Sequence, residues 1–428
     1  MKDNLNIKIR GLGPINESSI NIGKINVVGG HNGTGKSTTS KLLYAFLRAN
    51  CTNRNDFAYN QATEGIRSFI RTIYSRYGIE RPEYVDPEFS KIKIYSDSKP
   101  LYFDDLSLIE KYEQAKKDYY DHGAEHPLNK FIEEDIKEID DVIYMINDND
   151  DDLFVSIFKN VLLAEFNGKL YNFNVKFSGT KNGSNFNVDV NLKDGLWDSN
   201  NFFKSNGSFN IEDVFYIDSF SFFETSTTWV GPTHHVGYLK QVLNPYQNKP
   251  PKLFDEKFNK SIVDIEYKIK EIIGGEIGFN KGYQFTSPNL DPIDMQNTAS
   301  GIKQIGVVQL LLAKRKLKKD SFLIIDEPEV NLHPEWQIKF AKILVLLAKD
   351  LNITIYINTH SPMFMEAMSL YSEYYDLLDD TCMYLTEKQG DGFRFKQIDP
   401  KDMGAIYENL SRPYDDLDDI KSKIIFKG

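Results

Sequence analysis

Two short stretches and one histidine carry the residues able to do chemistry. Gly30-His31-Asn32-Gly33-Thr34-Gly35-Lys36-Ser37 fits G-x-x-x-x-G-K-[ST], the spacing of a loop that wraps phosphate oxygens. Its glycines let the backbone curl so that N–H groups point inward. Lys36 then reaches the β- and γ-phosphates, and the Ser37 hydroxyl ligates Mg²⁺. Gly30, Asn32, Gly33, Thr34, Gly35, Lys36, Ser37 and the adjoining Thr38 form the expected nucleotide-binding set. Asp326-Glu327-Pro328-Glu329 follows the apolar run 322–325. Asp326 would share the metal with Ser37, and Glu327 would orient and polarise an attacking water. His360 offers an imidazole to a γ-phosphate. Together Lys36, Glu327 and His360 are the groups expected to act on a bound phosphate chain with Mg²⁺.

These groups need a scaffold that brings them to one edge. Residues 25–28 read as a short buried strand feeding the loop, and residues 40–47 as the helix that follows it. Residues 322–325 are an apolar run, as a strand buried on both faces requires. Residues 353–357 read as another strand, which delivers His360 to a carboxyl end, where α/β sheets place their ligands. Ahead of the loop, residues 5–9 and 19–28 read as strands joined by a turn at Gly11-Leu12-Gly13-Pro14. Ala299-Ser300-Gly301-Ile302-Lys303-Gln304 precedes an apolar helix over 305–317, with Ser300 as its N-cap. Ser300 and Gly301 at a helix start are phosphate-seeking. After Val330-Asn331-Leu332-His333-Pro334, a further helix carries Trp336, Phe340, Ile343, Leu344 and Leu347 as a core stripe.

The middle of the chain reads differently. Ile66, Phe69, Ile70 and Ile73 recur at helical spacing, and residues 92–95 read as a short strand. Residues 104–167 read as a charged helical insertion, with Ile132, Ile136, Ile139, Ile143 and Ile146 on one face. Asp148-Asn149-Asp150-Asp151-Asp152 is not a calcium loop: Leu153 stands where the turn glycine belongs and Lys159 where the bidentate glutamate belongs. It reads as a solvated acidic loop. Tyr171, Phe173, Val175 and Phe177 alternate with polar residues, as do Phe186, Val188, Val190 and Leu192, with Asn182-Gly183 between them: a hairpin. Residues 214–217 read as a buried strand. His234 and His235, adjacent in an aromatic-rich stretch, make a poor metal site without further ligands and read as a loop or partner contact. Near the end, 383–385 and 393–395 suggest a hairpin through Gly390-Asp391-Gly392.

At 428 residues the chain is long enough for a large core. Its net charge of −11 argues against bulk affinity for nucleic acid or anionic lipid. Two cysteines, Cys51 and Cys382, argue against a disulfide framework and suit a reducing cytoplasm. The N-terminus lacks an apolar signal core, and no run is long enough to span a membrane. Residues 314–319 form the strongest basic run, read as favourable charge at a helix C-terminus, with a DNA-facing patch as the alternative.

A phosphate loop, a Ser-Gly signature at 300–304, a strand ending Asp326-Glu327-Pro328-Glu329 and a strand ending Thr359-His360-Ser361-Pro362 resemble the ABC-type ATPases. The likeness is greatest to the soluble AAA-labelled branch related to the SMC, RecF and OLD proteins. It covers residues 1–50 and 290–365 well. The resemblance implies two ATP molecules sandwiched between two head domains, the loop of one protomer facing the signature of the other. By that carry-over Ser300 and Gly301 contact the γ-phosphate held by the partner's loop, Glu327 is the catalytic carboxylate and His360 the switch histidine. Asn331 and His333 would lie along the dimer interface. The signature reads Ser-Gly-Ile-Lys-Gln, not Ser-Gly-Gly-Gln, which fits the soluble branch. The family's glutamine loop has no clear counterpart; the end of the 214–219 stretch is a candidate.

The expected fold class is therefore α/β: a P-loop ABC-type ATPase head, its mixed or parallel sheet flanked by helices, with a helical insertion and β-hairpins. The expected division is 1–100 for the first part of the core, 101–210 for the insertion, 211–365 for the second part of the core and 366–428 for a hairpin and helical tail. The resemblance implies a homodimer or higher homo-oligomer. It implies the ATPase of a prokaryotic antiphage or toxin–antitoxin system, working with a separate nuclease or toxin, since the tail leaves no room for the nuclease domain of OLD-type relatives. The alternative is a RecF- or SMC-like clamp on DNA.

Overall fold

The computed structural model describes residues 4–53, 106–122, 150–170, 172–181, 184–193, 196–197, 209, 211–218, 221–224, 233–244, 256–280, 282–288, 290–410 and 420–421 and 423–424, with single positions between 58 and 73 and between 132 and 140. The expected strand at 92–95 lies outside them, as do Ile143 and Ile146; Ile66, Phe69, Ile70, Ile73, Ile132, Ile136 and Ile139 are helical and buried.

One sheet of 11 strands organises the chain. Its parallel part consists of β3 (Ile25–Gly29), β7 (Val214–Ile217), β11 (Phe322–Asp326), β12 (Thr354–Thr359) and β13 (Thr381–Gln389). They stand in the order β13-β3-β12-β11-β7, each paired parallel with its neighbour. β3, β7 and β11 are buried at every position, as their unbroken apolar runs require. The carboxyl ends of β3, β11 and β12 therefore align, and the phosphate loop, Asp326 and His360 emerge side by side. Helix α1 (Lys36–Ala49) follows the loop and is buried along most of its length.

The expected strand at 19–28 is in fact two. β2 (Ile15–Ile22) stops at Gly23 and β3 starts at Ile25. The break follows from packing: the Asp380 carbonyl sits 2.5 Å from where a Gly23 Cβ would be, and Asn26 Oδ1 accepts from the Gly23 N–H at 2.8 Å. β1 (Asn4–Leu12) pairs antiparallel with β2 and, on its other edge, with β4 (Phe173–Lys181). β4 forms the expected hairpin with β5 (Ser184–Lys193), Lys181 opposite Ser184, and β6 (Leu196–Trp197) closes the sheet edge. The hairpin expected inside an insertion is thus a continuation of the main sheet. Phe177 from it stacks on Phe46 of α1 at 3.9 Å between ring centroids.

The C-terminal hairpin is likewise in the sheet. β13 and β14 (Gly392–Ile398) pair through the turn at Gly390, whose φ of 58° is left-handed. They fill the place between β3 and β2. The expected acidic loop is also different: Asp150, Asp151 and Asp152 open helix α3 (Asp150–Glu165), at the end where the helix dipole favours negative charge. Helix α2 (Leu106–His122) precedes it in the charged region. A separate antiparallel sheet of 3 strands, β8 (Glu276–Phe279), β9 (Tyr283–Ser287) and β10 (Leu290–Asp294), follows α4 (Ser221–Glu224), α5 (His235–Val242) and α6 (Glu256–Ile273). Helices α7 (Ser300–Ala313), α8 (Pro334–Asp350), α9 (Pro362–Tyr374) and α10 (Met403–Leu410) complete the chain order. Among the described residues no helix is long and apolar enough to cross a membrane.

Candidate active site

The loop between β3 and α1 has the shape its glycines predict. Gly33 and Gly35 hold φ of 76° and 96°, in the left-handed region that favours glycine. A Cβ on Gly30 would fall 1.9 Å from Thr386 Oγ1 of β13, so the hairpin walls the loop from behind. Lys36 turns back into the loop, donating to the carbonyls of Gly30 and His31 at 2.8 Å each. Burial brings its ammonium down to about 8, against the opposing pull of Glu327, Asp326 and Glu329. Its two partners are neutral loop carbonyls, weaker acceptors than a charged oxyanion. Ser37 is exposed and Thr34 buried; Asn32 is exposed and Thr38 half-buried.

Asp326 ends β11 almost fully enclosed. Burial raises its pKa, and hydrogen bonds from Tyr216, Ser37, Asn358 and Ser40 oppose that rise. Ser40 reaches Oδ1 at 3.2 Å, and Asn358 donates to the same oxygen and to the Ser40 hydroxyl at 2.6 Å. Tyr216 donates to Oδ2 at 2.7 Å. Ser37 and Asp326, a hydroxyl and a carboxylate bonded to each other, make an oxygen pair that suits a hard cation such as Mg²⁺.

Glu327 is next, with a left-handed φ of 51°. That strained conformation, uncommon away from glycine, turns its side chain out of the strand line. Its N–H donates to the Asn358 carbonyl at 2.8 Å, and Oε1 lies 3.0 Å from His360 Nε2. Burial and the nearby Lys36 lower the His360 pKa, against the opposing pull of Glu327. Glu329 accepts the His360 backbone N–H at 2.6 Å, and burial raises its own pKa. The structure thus brings Lys36, Ser37, Asp326, Glu327 and His360 together.

Ser300 and Gly301 belong to a different neighbourhood. Ser300 is the first residue of α7 and not its cap; Ala299 holds the cap position with no side-chain bond. The helix starts five residues earlier than the apolar pattern indicates, because the Ser-Gly turn is already helical. Gly301 packs against Asn331, whose carbonyl would lie 2.8 Å from a Cβ there. Gln304 ties this helix to β11, donating to the carbonyls of Asp326 and Glu327 at 3.1 and 3.4 Å. Asn331, at φ 59°, and His333 are exposed.

The AAA ATPase domain family matches residues 5–365. The chain belongs to that family. This AAA ATPase binds and hydrolyses ATP. No curated protein matches its sequence. Its fold is similar to the SMC head domain from Thermotoga maritima, at TM-score 0.39 and 12% identity over 93% of this chain and 99% of that one. It is also similar to cbiO1 from Clostridium perfringens, part of an ABC transporter complex, at TM-score 0.33 and 14% identity over 95% and 96%.

Sequence reasoning about this AAA ATPase missed Ser40, Tyr216 and Asn358 around Asp326, and named Gln304 only as the end of the signature. Tyr216 left one signal: a tyrosine inside a fully buried strand needs a partner for its hydroxyl. Of the two histidines, His234 caps the helix start from a half-buried turn, while His235 is placed differently from expectation. His235 is buried, not in a surface loop. Its Nδ1 lies 2.9 Å from Glu165 Oε2 and its Nε2 lies 3.2 Å from Asp218 Oδ2. Burial disfavours its charge, but Glu165 and Asp218 outweigh it and raise the imidazolium to about 9. Glu165, His234 and His235 have ligand atoms within 4.8 Å of one another, and Glu165 Oε2 lies within hydrogen-bond distance of His235 Nδ1. No glutamine stands at the end of β7; Asp218 does. The basic run is engaged internally: Lys314 donates to the Asn244 carbonyl at 3.1 Å, Arg315 pairs with Glu266 at 2.9 Å and Lys318 pairs with Glu212.

Proposed function

We propose that this ATPase works as one head of an ATP-sandwiched pair. The reading rests on the 3.0 Å pairing of Glu327 Oε1 with His360 Nε2 beside the loop that carries Lys36. In this reading the loop N–H groups and Lys36 bind the phosphates, with Gly30, Asn32, Gly33, Thr34, Gly35, Ser37 and Thr38 shaping the cradle. Ser37 and Asp326 hold Mg²⁺, which supplies charge neutralisation at the phosphate oxygens. Glu327 orients and polarises the attacking water, and His360, donating from Nε2, holds Glu327 in place. Ser300 and Gly301, at an open helix start next to Asn331, serve the partner copy's nucleotide. Exposure of Asn331 and His333 supports a surface there that a second copy covers.

The test is Glu327→Gln. It should bind ATP and lose hydrolysis by about 10²-fold or more, and in ATP and Mg²⁺ it should sediment as a dimer. Hydrolysis at the wild-type rate overturns the assignment of Glu327. A monomer at every ATP concentration, with ATP bound, overturns the pairing.

For the wider role, the proposal is the sensor ATPase of an antiphage or toxin–antitoxin system with a separate effector protein. Net acidity supports it over a DNA clamp, as does the use of Lys314, Arg315 and Lys318 within the fold. The Glu327→Gln protein, purified with ATP from cells carrying its neighbouring genes, should bring a stoichiometric second protein. DNA alone in that preparation favours the clamp.

A further inference from the structure

Asp326 is gripped from both sides, and only one side belongs to the nucleotide loop and its helix. β7 pairs with β11 so that Tyr216 stands opposite Ile324. Side chains two apart on a strand share a face, so Tyr216 and Asp326 lie on the same face of adjacent strands. The Tyr216 hydroxyl donates to Oδ2 at 2.7 Å, while Ser40 and Asn358 hold Oδ1. With a donor on each oxygen, the carboxylate has one rotation about its Cβ–Cγ bond that satisfies all of them.

The tyrosine ring is itself braced. Its centroid lies 4.4 Å from that of His235 and 5.9 Å from that of Tyr44, and all three residues are buried. His235 is held by Glu165 through ring and backbone N–H, and Asp218 Oδ2 lies 3.2 Å from its Nε2. Glu165 is the last residue of α3, and Asp218 follows β7 directly. An unbroken series of contacts therefore runs from the end of α3 through His235 and Tyr216 to Asp326.

We propose that Tyr216 is a positioning residue for the metal: it fixes the Asp326 carboxylate, and the His235–Glu165 ion pair fixes Tyr216. Groups behind a metal ligand alter affinity by orienting it, with effects of about 10- to 100-fold. This inference rests on the reading of Asp326 as a metal ligand.

Tyr216→Phe removes one oxygen and keeps the ring. The probe is Mn²⁺, followed by loss of its free electron-paramagnetic-resonance signal, on protein saturated with a non-hydrolysable ATP analogue. Binding of that analogue in EDTA is measured alongside. Tyr216→Phe should weaken Mn²⁺ by about 10-fold and leave analogue binding in EDTA unchanged. Glu165→Gln, which loosens the brace without touching Asp326, should weaken Mn²⁺ in the same direction by a smaller factor, and it serves as the test if Tyr216→Phe does not fold. Asp326→Asn is the control. If it weakens Mn²⁺ while Tyr216→Phe and Glu165→Gln both bind like wild type, the positioning role is overturned. If Asp326→Asn itself binds Mn²⁺ like wild type, the metal assignment falls and the positioning role with it.

Discussion

Glu327 Oε1 and His360 Nε2 face each other at 3.0 Å across the ends of two adjacent parallel strands. The contact joins a carboxylate turned out by a left-handed backbone to an imidazole whose charge burial and Lys36 disfavour. A neutral ring can donate to the carboxylate only if Nε2 carries its proton, so the contact fixes the tautomer as well as the rotamer. His360→Ala should therefore lower kcat by about 10²-fold, the scale of losing one preorganised donor, with KM for ATP changed far less. Steady-state kinetics at saturating Mg²⁺ separate the two. A variant that raises KM alone would make His360 a binding group only.

Lys36 gives a pH signature. Its ammonium titrates near 8 when it lies on the loop carbonyls, well below the usual lysine value, because burial disfavours the charge. Below pH 8 the charged form dominates and binds phosphate; above it the neutral amine cannot. Affinity for ATP should fall as pH rises through 8, and binding near pH 8.5 should take up protons. Calorimetry in two buffers of different ionisation enthalpy reads that uptake directly, and Lys36→Met should abolish it together with most of the affinity.

His235 titrates in the opposite sense. Its pKa is raised to about 9 by Glu165 and Asp218, despite burial. The imidazolium then contributes stability that is complete below the unfolded pKa of about 6.5 and lost as pH rises through 9. A shift of that size corresponds to about 3 kcal/mol. The difference in thermal midpoint between wild type and His235→Gln should be largest at pH 6 and shrink steadily toward pH 9.5. A difference that stays constant over that range would mean the ring acts by packing alone.

Gly30→Ala tests the wall behind the loop. The added carbon meets Thr386 Oγ1 at 1.9 Å, with no room for it unless β13 or the loop moves. The expected cost is about 1–3 kcal/mol, together with weaker ATP binding. Thr386→Ala in the same chain should restore part of both, because it removes the nearest atom. Equal destabilisation in the single and double variants would place the strain elsewhere.

The parts of this site that sequence made legible are those fixed by local spacing. The loop, Asp326-Glu327 and His360 each sit within a few residues of a strand end, and apolar runs mark those ends. What was hidden depends on strand order. Tyr216, Ser40 and Asn358 converge on Asp326 only because β7, β11, β12 and α1 are neighbours in space, and nothing in their local sequence encodes that adjacency. The same holds for the hairpins: the alternation of Phe173, Val175 and Phe177 identified a half-buried strand, but not that β1 would be its partner. His235 was misread for a related reason, since its carboxylates arrive from residues 165 and 218. The N-cap assignment of Ser300 failed locally: the pattern of apolar residues began after the helix did.

Gln304 holds the carbonyls of Asp326 and Glu327 from within the helix that Ser300 and Gly301 begin. One amide thus fastens the part of the chain that would close over a neighbour's nucleotide to the part that works on its own. In a pair of such heads each site would carry news of the other. If two such heads pair, this amide is the link through which the second nucleotide would be sensed at the first.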